Sequence, residues 1–442
     1  MKEIPNILAR AIKRYKGFSV NTALYSLAII LPMTIERLVV HPLLLRFIGK
    51  AAFGEFVIAL SVIMPLSMIF TSGTRASFFR DHAHYQGAEK DRFFRSGLLA
   101  NICILIIFVI LIIVFSNPLG RLLSKDKVGT LTASYLRQLV LYGILAGIVT
   151  LLQMYIRAHL WYGRFLISSL IYAIAAGLII VPVALGAREW VGLYYAIGVA
   201  GGTIGAGIIL RNALWGRPII SKSDLKAYLK TVPLFTGAGV LTMVQPYIVR
   251  MYLGATVIPE KVTVFFAGSA MAMLFTQLPS MVGQVAITYI ARHRNAQEMS
   301  PTTMKRYLLI TFAMIVIIGI LGAILGYVAL FLLYPQVAKD SLPIFYICLI
   351  GAASVTPRPM LTGFVQKFLS PVVSTIVSGV SLAINIGLLI LLIGPMGLMG
   401  AALALSAGNA TIGIIYFILG CIIYARVKRF AHLQGNKQEQ LQ

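Results

Sequence analysis

The sequence predicts an all-α integral membrane protein of about twelve transmembrane helices, arranged as two six-helix lobes related by a pseudo-two-fold axis along the membrane normal. Three observations predict it. The 442 residues are 59% hydrophobic and only 12% charged, with a mean hydropathy of +0.89, which is more apolar surface than a chain dissolved in water can hide. Apolar runs of about 20 residues recur along the whole length, each able to cross a hydrocarbon core of about 30 Å. Short segments also return in the same order at an offset near 204 residues.

Hydropathy places the first six helices at 18–46, 53–73, 93–116, 135–159, 164–186 and 190–211, and the second six at 229–254, 262–291, 307–334, 341–363, 368–393 and 396–424. An even number of spans puts both termini on one side of the membrane. That side carries about 26 Lys and Arg, among them Lys13, Arg14, Arg92, Arg95, Lys222, Lys226, Arg292, Arg294, Lys305, Arg306, Lys428 and Arg429, against about 8 on the other. The positive-inside bias therefore assigns both termini to the cytoplasm, and it also accounts for the net charge of +25. The basic residues are scattered through short loops rather than clustered on one domain, so nucleic acid is not an expected partner. The N-terminal MKEIPNILARAIKRYKG is basic and amphipathic, with no small-residue cleavage site behind a short apolar region, so no removable signal peptide is expected.

The repeat rests on three matches. His41-Pro42-Leu43-Leu44-Leu45-Arg46 corresponds to Gln245-Pro246-Tyr247-Ile248-Val249-Arg250, sharing Pro-x-x-x-Arg at an offset of 204. Gly163-Arg164-Phe165-Leu166 corresponds to Gln366-Lys367-Phe368-Leu369 at 203, and Thr203-Ile204-Gly205 to Thr411-Ile412-Gly413 at 208. The expected organisation is an N-terminal lobe over 1–215, a C-terminal lobe over 216–428 and a polar cytoplasmic tail over 429–442, with a basic linker around Arg211–Lys230.

The first span contains MTIERLVVHPLLLRF, from Met33 to Phe47. The repeat puts Arg46 and Arg250 at the outer ends of the first and seventh helices. Arg37 lies nine residues deeper, about 13 Å at 1.5 Å per residue. An arginine at the bilayer centre costs about 2.5–3.5 kcal/mol even on the mild insertion scale, a cost relieved by a watery cavity or a partner. Asn21, Tyr25 and Glu36 share one face of this helix, and in the eighth helix Ser269, Gln277, Ser280 and Gln284 form a polar stripe. Such stripes also join helices through interhelical hydrogen bonds of about 0.6 kcal/mol each, which is the structural alternative. Arg157 and Arg358, near the cytoplasmic ends of the fourth and tenth helices, either snorkel to the interface or frame a cationic inner mouth, with Arg46, Arg137 and Arg250 framing an outer one. Pro32, Pro65, Pro233, Pro279 and Pro371 fall inside spans, where a missing N–H can bend the helix. Arginines outnumber the embedded carboxylates, Glu36 and Glu55, so the chamber is expected to favour an anion, phosphate above all.

Other chemistry has no foothold. Cys103, Cys348 and Cys421 are dispersed in apolar runs, with neither a disulfide framework nor a metal spacing. His82 and His84 have only Asp81 beside them, and no Walker A loop, HExxH or paired Asp motif occurs. The outer loops are too short and their acidic residues too isolated for a membrane glycosyltransferase, so the chain is not expected to be an enzyme or to need a cofactor.

The run RFIGKAAFGEFVIALSV, from Arg46 to Val62, resembles the first outer turn and second helix of bacterial polysaccharide repeat-unit flippases of the multidrug/oligosaccharidyl-lipid/polysaccharide exporter superfamily. GPMGLMGAALAL, from Gly394 to Leu405, resembles their penultimate turn and last helix. The resemblance implies a V-shaped pair of lobes around a central cavity, alternating access, and movement of an undecaprenyl-diphosphate-linked oligosaccharide across the bacterial inner membrane. It further implies membrane lipids, a polysaccharide polymerase and a chain-length regulator as partners. Arg37, Arg46, Arg157, Arg250 and Arg358 are then phosphate candidates, and Asn21, Tyr25, Gln277 and Gln284 sugar candidates, with Glu36 beside them. The alternatives are a multidrug antiporter of the same superfamily, which calls for buried carboxylates that are scarce here, and a scaffold in a glycan-assembly complex.

Overall fold

The computed structural model describes residues 23–81, 87–125, 128–159, 161–214, 221, 223–226, 240–241, 243–283 and 301–439. It is helical throughout, with no strand among the described residues. We number the helices α1 (Ala23–Ile48), α2 (Lys50–Asp81), α3 (Ala88–Leu123), α4 (Thr130–Ala158), α5 (Tyr162–Ala184), α6 (Val191–Ile209), α7 (Gln245–Thr256), α8 (Pro259–Gly283), α9 (Pro301–Leu333), α10 (Ala338–Gln366), α11 (Pro371–Met396) and α12 (Leu398–Glu439). All but α7 supply a segment long and apolar enough to span a membrane. The predicted spans coincide with these helices, while Pro233 and most of the N-terminal half of the predicted seventh span lie outside the described residues.

Tryptophans stand near both ends of α5. Trp161 and Trp190, 36% and 53% exposed, flank α5, and the 23 residues of Tyr162–Ala184 span about 35 Å at 1.5 Å each. In α3, Ile106, Ile107, Ile110, Val114 and Phe115 are exposed, and an exposed apolar face of this kind suits contact with acyl chains.

Prolines explain the irregular turns. A proline deprives the carbonyl four residues earlier of its helical donor. Pro279 lies four residues after Phe275, where α8 is interrupted by a turn at Phe275–Thr276. Pro359 follows Val355, in the break of α10 between Ala338–Ser354 and Pro357–Phe368. Pro182 follows Leu178, beside the break of α5 at Ile179. Pro42 follows Leu38, inside a π-helical turn at Glu36–Val40. Pro32 and Pro65, by contrast, sit in helices that continue without a break. Pro371 opens α11 at its first turn, with Ser370 as N-cap accepting from the Val372 N–H.

Contacts divide the chain into two units. Unit 1 comprises Met1–Ile48, Leu66–Leu119 and Ala133–Thr236. Within it, α5 and α6 pack through glycine: a Cβ on Gly202 would lie 2.7 Å from Tyr172 Cβ, and one on Gly205 2.9 Å from Ile171. Small residues at a helix contact let the backbones approach closely. The segment after α6 is fixed to α3, since Arg92 Nε donates to Asp224 Oδ2 at 2.8 Å and Arg95 Nη1 to the Ala213 carbonyl at 2.5 Å.

Unit 2 comprises Gly49–Pro65, Gly120–Thr132 and Gly237–Gln442. Around α12, Gly413 lets the α10 backbone approach so closely that a Cβ would sit 1.7 Å from the Ser354 carbonyl oxygen. Gln245 Nε2 donates to Ser381 Oγ, and Ser381 Oγ to the Gly408 carbonyl, both at 2.6 Å. The first half of α2 packs against α8. Thr263 Oγ1 donates to the Lys50 carbonyl at 2.7 Å, and Phe53 and Phe266 meet edge to face at 5.5 Å. A Cβ on Gly54 would lie 2.0 Å from the Pro259 carbonyl oxygen.

Candidate functional site

The Glu36-Arg37 pair lies in the π turn of α1. There the His41 N–H bonds to the Glu36 carbonyl, five residues back, while Pro42 has no N–H with which to continue an α register. Single π turns inside α-helices occur often at functional positions. The side chains of the same two residues converge as well. The Tyr195 hydroxyl donates to Glu36 Oε1. Its lone pairs remain to accept from His41 Nε2, 2.9 Å away, and His41 Nε2 is itself 3.6 Å from Glu36 Oε1. Arg37 is half-buried and acts electrostatically on the Glu36 carboxylate.

Four helices of unit 1 build this cluster. Tyr195, on α6, is 2% exposed and stands edge to face with Tyr142 of α4 at 4.9 Å. Tyr142 hydrogen-bonds Tyr172 of α5. The start of α6 is tied to α4 by Gln138, whose Oε1 accepts from the Gly192 N–H at 3.0 Å and whose Nε2 donates to the Glu189 carbonyl at 2.9 Å. The Glu36 carboxylate is thus met by a hydroxyl, an imidazole and a guanidinium, the kind of partners that make a charge inside a membrane span tolerable.

The predicted cations of unit 1 occupy separate levels along α1. Arg157 Nη2 donates to the Tyr25 hydroxyl near the N-terminal end of α1, with its guanidinium 4.7 Å from the Tyr25 ring centroid and 5.7 Å from that of Phe165. Arg37 is twelve residues further on, about 18 Å, and Arg46 nine beyond that, about 13 Å. Arg46 is exposed. Arg137, also exposed, bonds to Ser116 Oγ at 2.9 Å and to Asn117 Oδ1. Asn21 lies outside the described residues.

In unit 2, Arg250 is 8% exposed and lies over the rings of Phe266 at 4.8 Å and Tyr247 at 5.5 Å. It therefore differs from its repeat mate Arg46. Arg358 is half-buried and hydrogen-bonded to Tyr416 of α12. Gln277 is half-buried just beyond the α8 turn, and Gln284 lies outside the described residues. That turn breaks the helical register on which the predicted stripe depended. Ser269 Oγ donates to the Phe266 carbonyl and Ser280 Oγ to the Thr276 carbonyl, at 3.3 and 2.8 Å, so both hydroxyls serve their own helix.

Sequence reading missed Tyr142, Tyr172 and Tyr195. The available signal was a phenol deep in an apolar helix, since a buried Tyr hydroxyl needs a partner. Among the described residues no group of three or more His, Cys, Asp or Glu is placed to hold a metal ion.

Comparison with known proteins agrees with this architecture. Residues 16–235 match the family described as polysaccharide biosynthesis protein. No curated protein matches the sequence. Among solved structures, the lipid II flippase MurJ in an inward closed conformation is similar with a TM-score of 0.71 and 17% identity, over 93% of this chain and 89% of that one. An inward-facing multidrug resistance MATE family transporter of the MOP superfamily gives 0.67 and 16%, over 92% and 96%. A MOP superfamily transporter from Pyrococcus furiosus, described as having a binding pocket of reverse polarity, gives 0.60 and 16%, over 92% and 96%.

Proposed function

We propose that this chain, a multi-pass membrane protein, is a flippase of the multidrug/oligosaccharidyl-lipid/polysaccharide exporter superfamily, a reading supported by its family match and its structural neighbours. Its cargo is an undecaprenyl-diphosphate-linked oligosaccharide, a repeat unit of a surface polysaccharide, moved across the bacterial inner membrane by alternating access with both termini cytoplasmic. The observation that carries the proposal is the cation ladder of unit 1. Arg157 against Tyr25, then Arg37, then Arg46 offer guanidinium groups at three levels spaced along about 31 Å of α1, close to the thickness of the hydrocarbon core. A diphosphate dragging a hydrophilic glycan through lipid needs such partners at successive depths, and the planar guanidinium fork suits phosphate oxygens.

In this reading Arg37 holds the diphosphate at mid-membrane, Arg157 receives it and Arg46 releases it; Arg250 and Arg358 are separate phosphate candidates within unit 2. Asn21, Tyr25, Gln277 and Gln284 meet sugar hydroxyls. Glu36, engaged by Tyr195 and His41, tempers the local positive charge so that the anion is not trapped. Residues 1–215 and 216–428 act as the two lobes. Outward passage of negative charge gains about 2.3 kcal/mol per charge for each 100 mV of inside-negative potential. The cargo's next consumers are a polysaccharide polymerase and its chain-length regulator. The chain works as a carrier rather than an enzyme. One MOP-fold neighbour is described as a multidrug resistance transporter, but a cationic drug calls for free embedded carboxylate, and Glu36 is already engaged.

The test is complementation of a null strain. Arg37→Ala abolishes surface glycan at unchanged membrane abundance, and Arg37→Lys restores only part of it, because charge returns without the fork. Normal glycan with Arg37→Ala refutes the proposal. A rise in resistance to cationic dyes on overexpression supports drug export instead.

A further inference from the structure

The π turn of α1 is closed twice between the same two residues. Its backbone bond runs from the His41 N–H to the Glu36 carbonyl, and the Glu36 and His41 side chains both bond to one hydroxyl, that of Tyr195. Arg37 is the next residue within the turn. Should the turn relax toward an α register, one residue's worth of rotation, about 100°, would separate Arg37 from the helix beyond it. We infer that Tyr195 is a positioning residue for the transported headgroup: by clamping Glu36 to His41 it holds the π turn and so sets the direction in which Arg37 presents its guanidinium to a diphosphate. This rests on the proposed role of Arg37 as a phosphate ligand.

Other features support the assignment. Tyr195 is immobilised from behind, by the edge contact with Tyr142 at 4.9 Å and by the Gln138 bridge to Gly192 three residues earlier, so its hydroxyl is a fixed point rather than a follower. Its ring lies parallel to the His41 imidazole, with centroids 6.2 Å apart, and His41 is itself buried. A hydroxyl that donates to a carboxylate and accepts from an imidazole uses both of its functions, and phenylalanine at this position keeps the ring while losing both bonds. A role confined to packing would leave Arg37 chemistry untouched in such a variant.

The test labels the purified full-length protein in detergent with phenylglyoxal and follows Arg37 by peptide mass spectrometry, with and without farnesyl diphosphate as the isoprenyl diphosphate probe. In the wild type the probe slows labelling of Arg37 at least fivefold. In Tyr195→Phe that protection falls below twofold and glycan export in cells drops at least tenfold, while the thermal unfolding midpoint stays within a few degrees. Tyr142→Phe, which keeps the Tyr195 hydroxyl and its partners, retains protection. Should Tyr195→Phe fold poorly, His41→Gln removes one of the two partners of the hydroxyl and gives a partial loss of protection. Full protection of Arg37 in Tyr195→Phe, or in His41→Gln where that variant is used, overturns the inference while leaving the phosphate role of Arg37 intact. Absence of protection in the wild type overturns that role, and this inference with it.

Discussion

Tyr25 and Arg157 offer a direct way to separate a structural tie from a transport contact. Tyr25→Phe removes the hydroxyl that accepts from Arg157 but keeps the ring 4.7 Å beneath the guanidinium. A hydrogen bond to a charged group contributes about 1.5–3 kcal/mol; Arg157 is half-buried, and water recovers part of the loss, which leaves about 1 kcal/mol. Tyr25→Ala removes the ring as well. The ring meets Tyr162 edge to face at 6.1 Å and Phe165 at 5.8 Å. Aromatic pairs contribute about 0.5–1.5 kcal/mol each beyond burial, the cation–π contact about 0.5–2, and an aromatic-to-alanine cavity about 3–5. These terms overlap, so a total near 4 kcal/mol is expected for the alanine variant, about four times the cost of phenylalanine. Reversible SDS unfolding of the purified protein reads both values. If Arg157 is also a transport contact, Arg157→Met abolishes export, whereas Tyr25→Phe, which frees the guanidinium but loses one proposed sugar contact, lowers export only in part. Equal costs for the phenylalanine and alanine variants would refute the energetic reasoning, and full export by Arg157→Met would reduce the pair to a structural tie.

Pro42→Ala restores an N–H able to reach the Leu38 carbonyl, favours the α register over the π turn, and is expected to cut export severalfold with no loss of thermal stability; undiminished export would show that the turn is not needed. Gly54→Ala places a Cβ 2.0 Å from the Pro259 carbonyl oxygen, so α2 and α8 must separate, at a cost of about 1–3 kcal/mol seen as a lower unfolding midpoint; an unchanged midpoint would contradict the contact. Asp224→Asn removes the charge that holds Arg92 and is expected to speed proteolysis of the segment after α6 at least threefold, with unaltered cleavage as the contrary result.

Much of the architecture was legible in sequence because the bilayer forces backbone groups to be satisfied locally. A run such as ICILIIFVILIIVF from Ile102 to Phe115 has one low-energy form in lipid, a helix, and its exposed face in α3 agrees. The spacing of Arg37 and Arg46 along one helix was likewise readable, since both lie in α1 and helix rise is constant. The polar stripe of α8 assumed an unbroken register, whereas the helix turns at Phe275–Thr276, four residues before Pro279, and Gln284 lies outside the described residues. Proline inside a span did not by itself forecast a break. Pro32 and Pro65 are carried in continuous helix, whereas Pro279 and Pro359 lie four residues beyond breaks.

The sequence alone showed that this chain is a helical, multi-pass membrane protein, since that follows from composition and from apolar runs along the chain. Which side chains answer its embedded charges was decided by the tertiary structure. Tyr195 is 159 residues from Glu36 and Tyr25 is 132 from Arg157. No local pattern couples such residues: a hydrogen bond depends on distances of a few tenths of an ångström, and those are fixed only when α1, α4, α5 and α6 pack side by side.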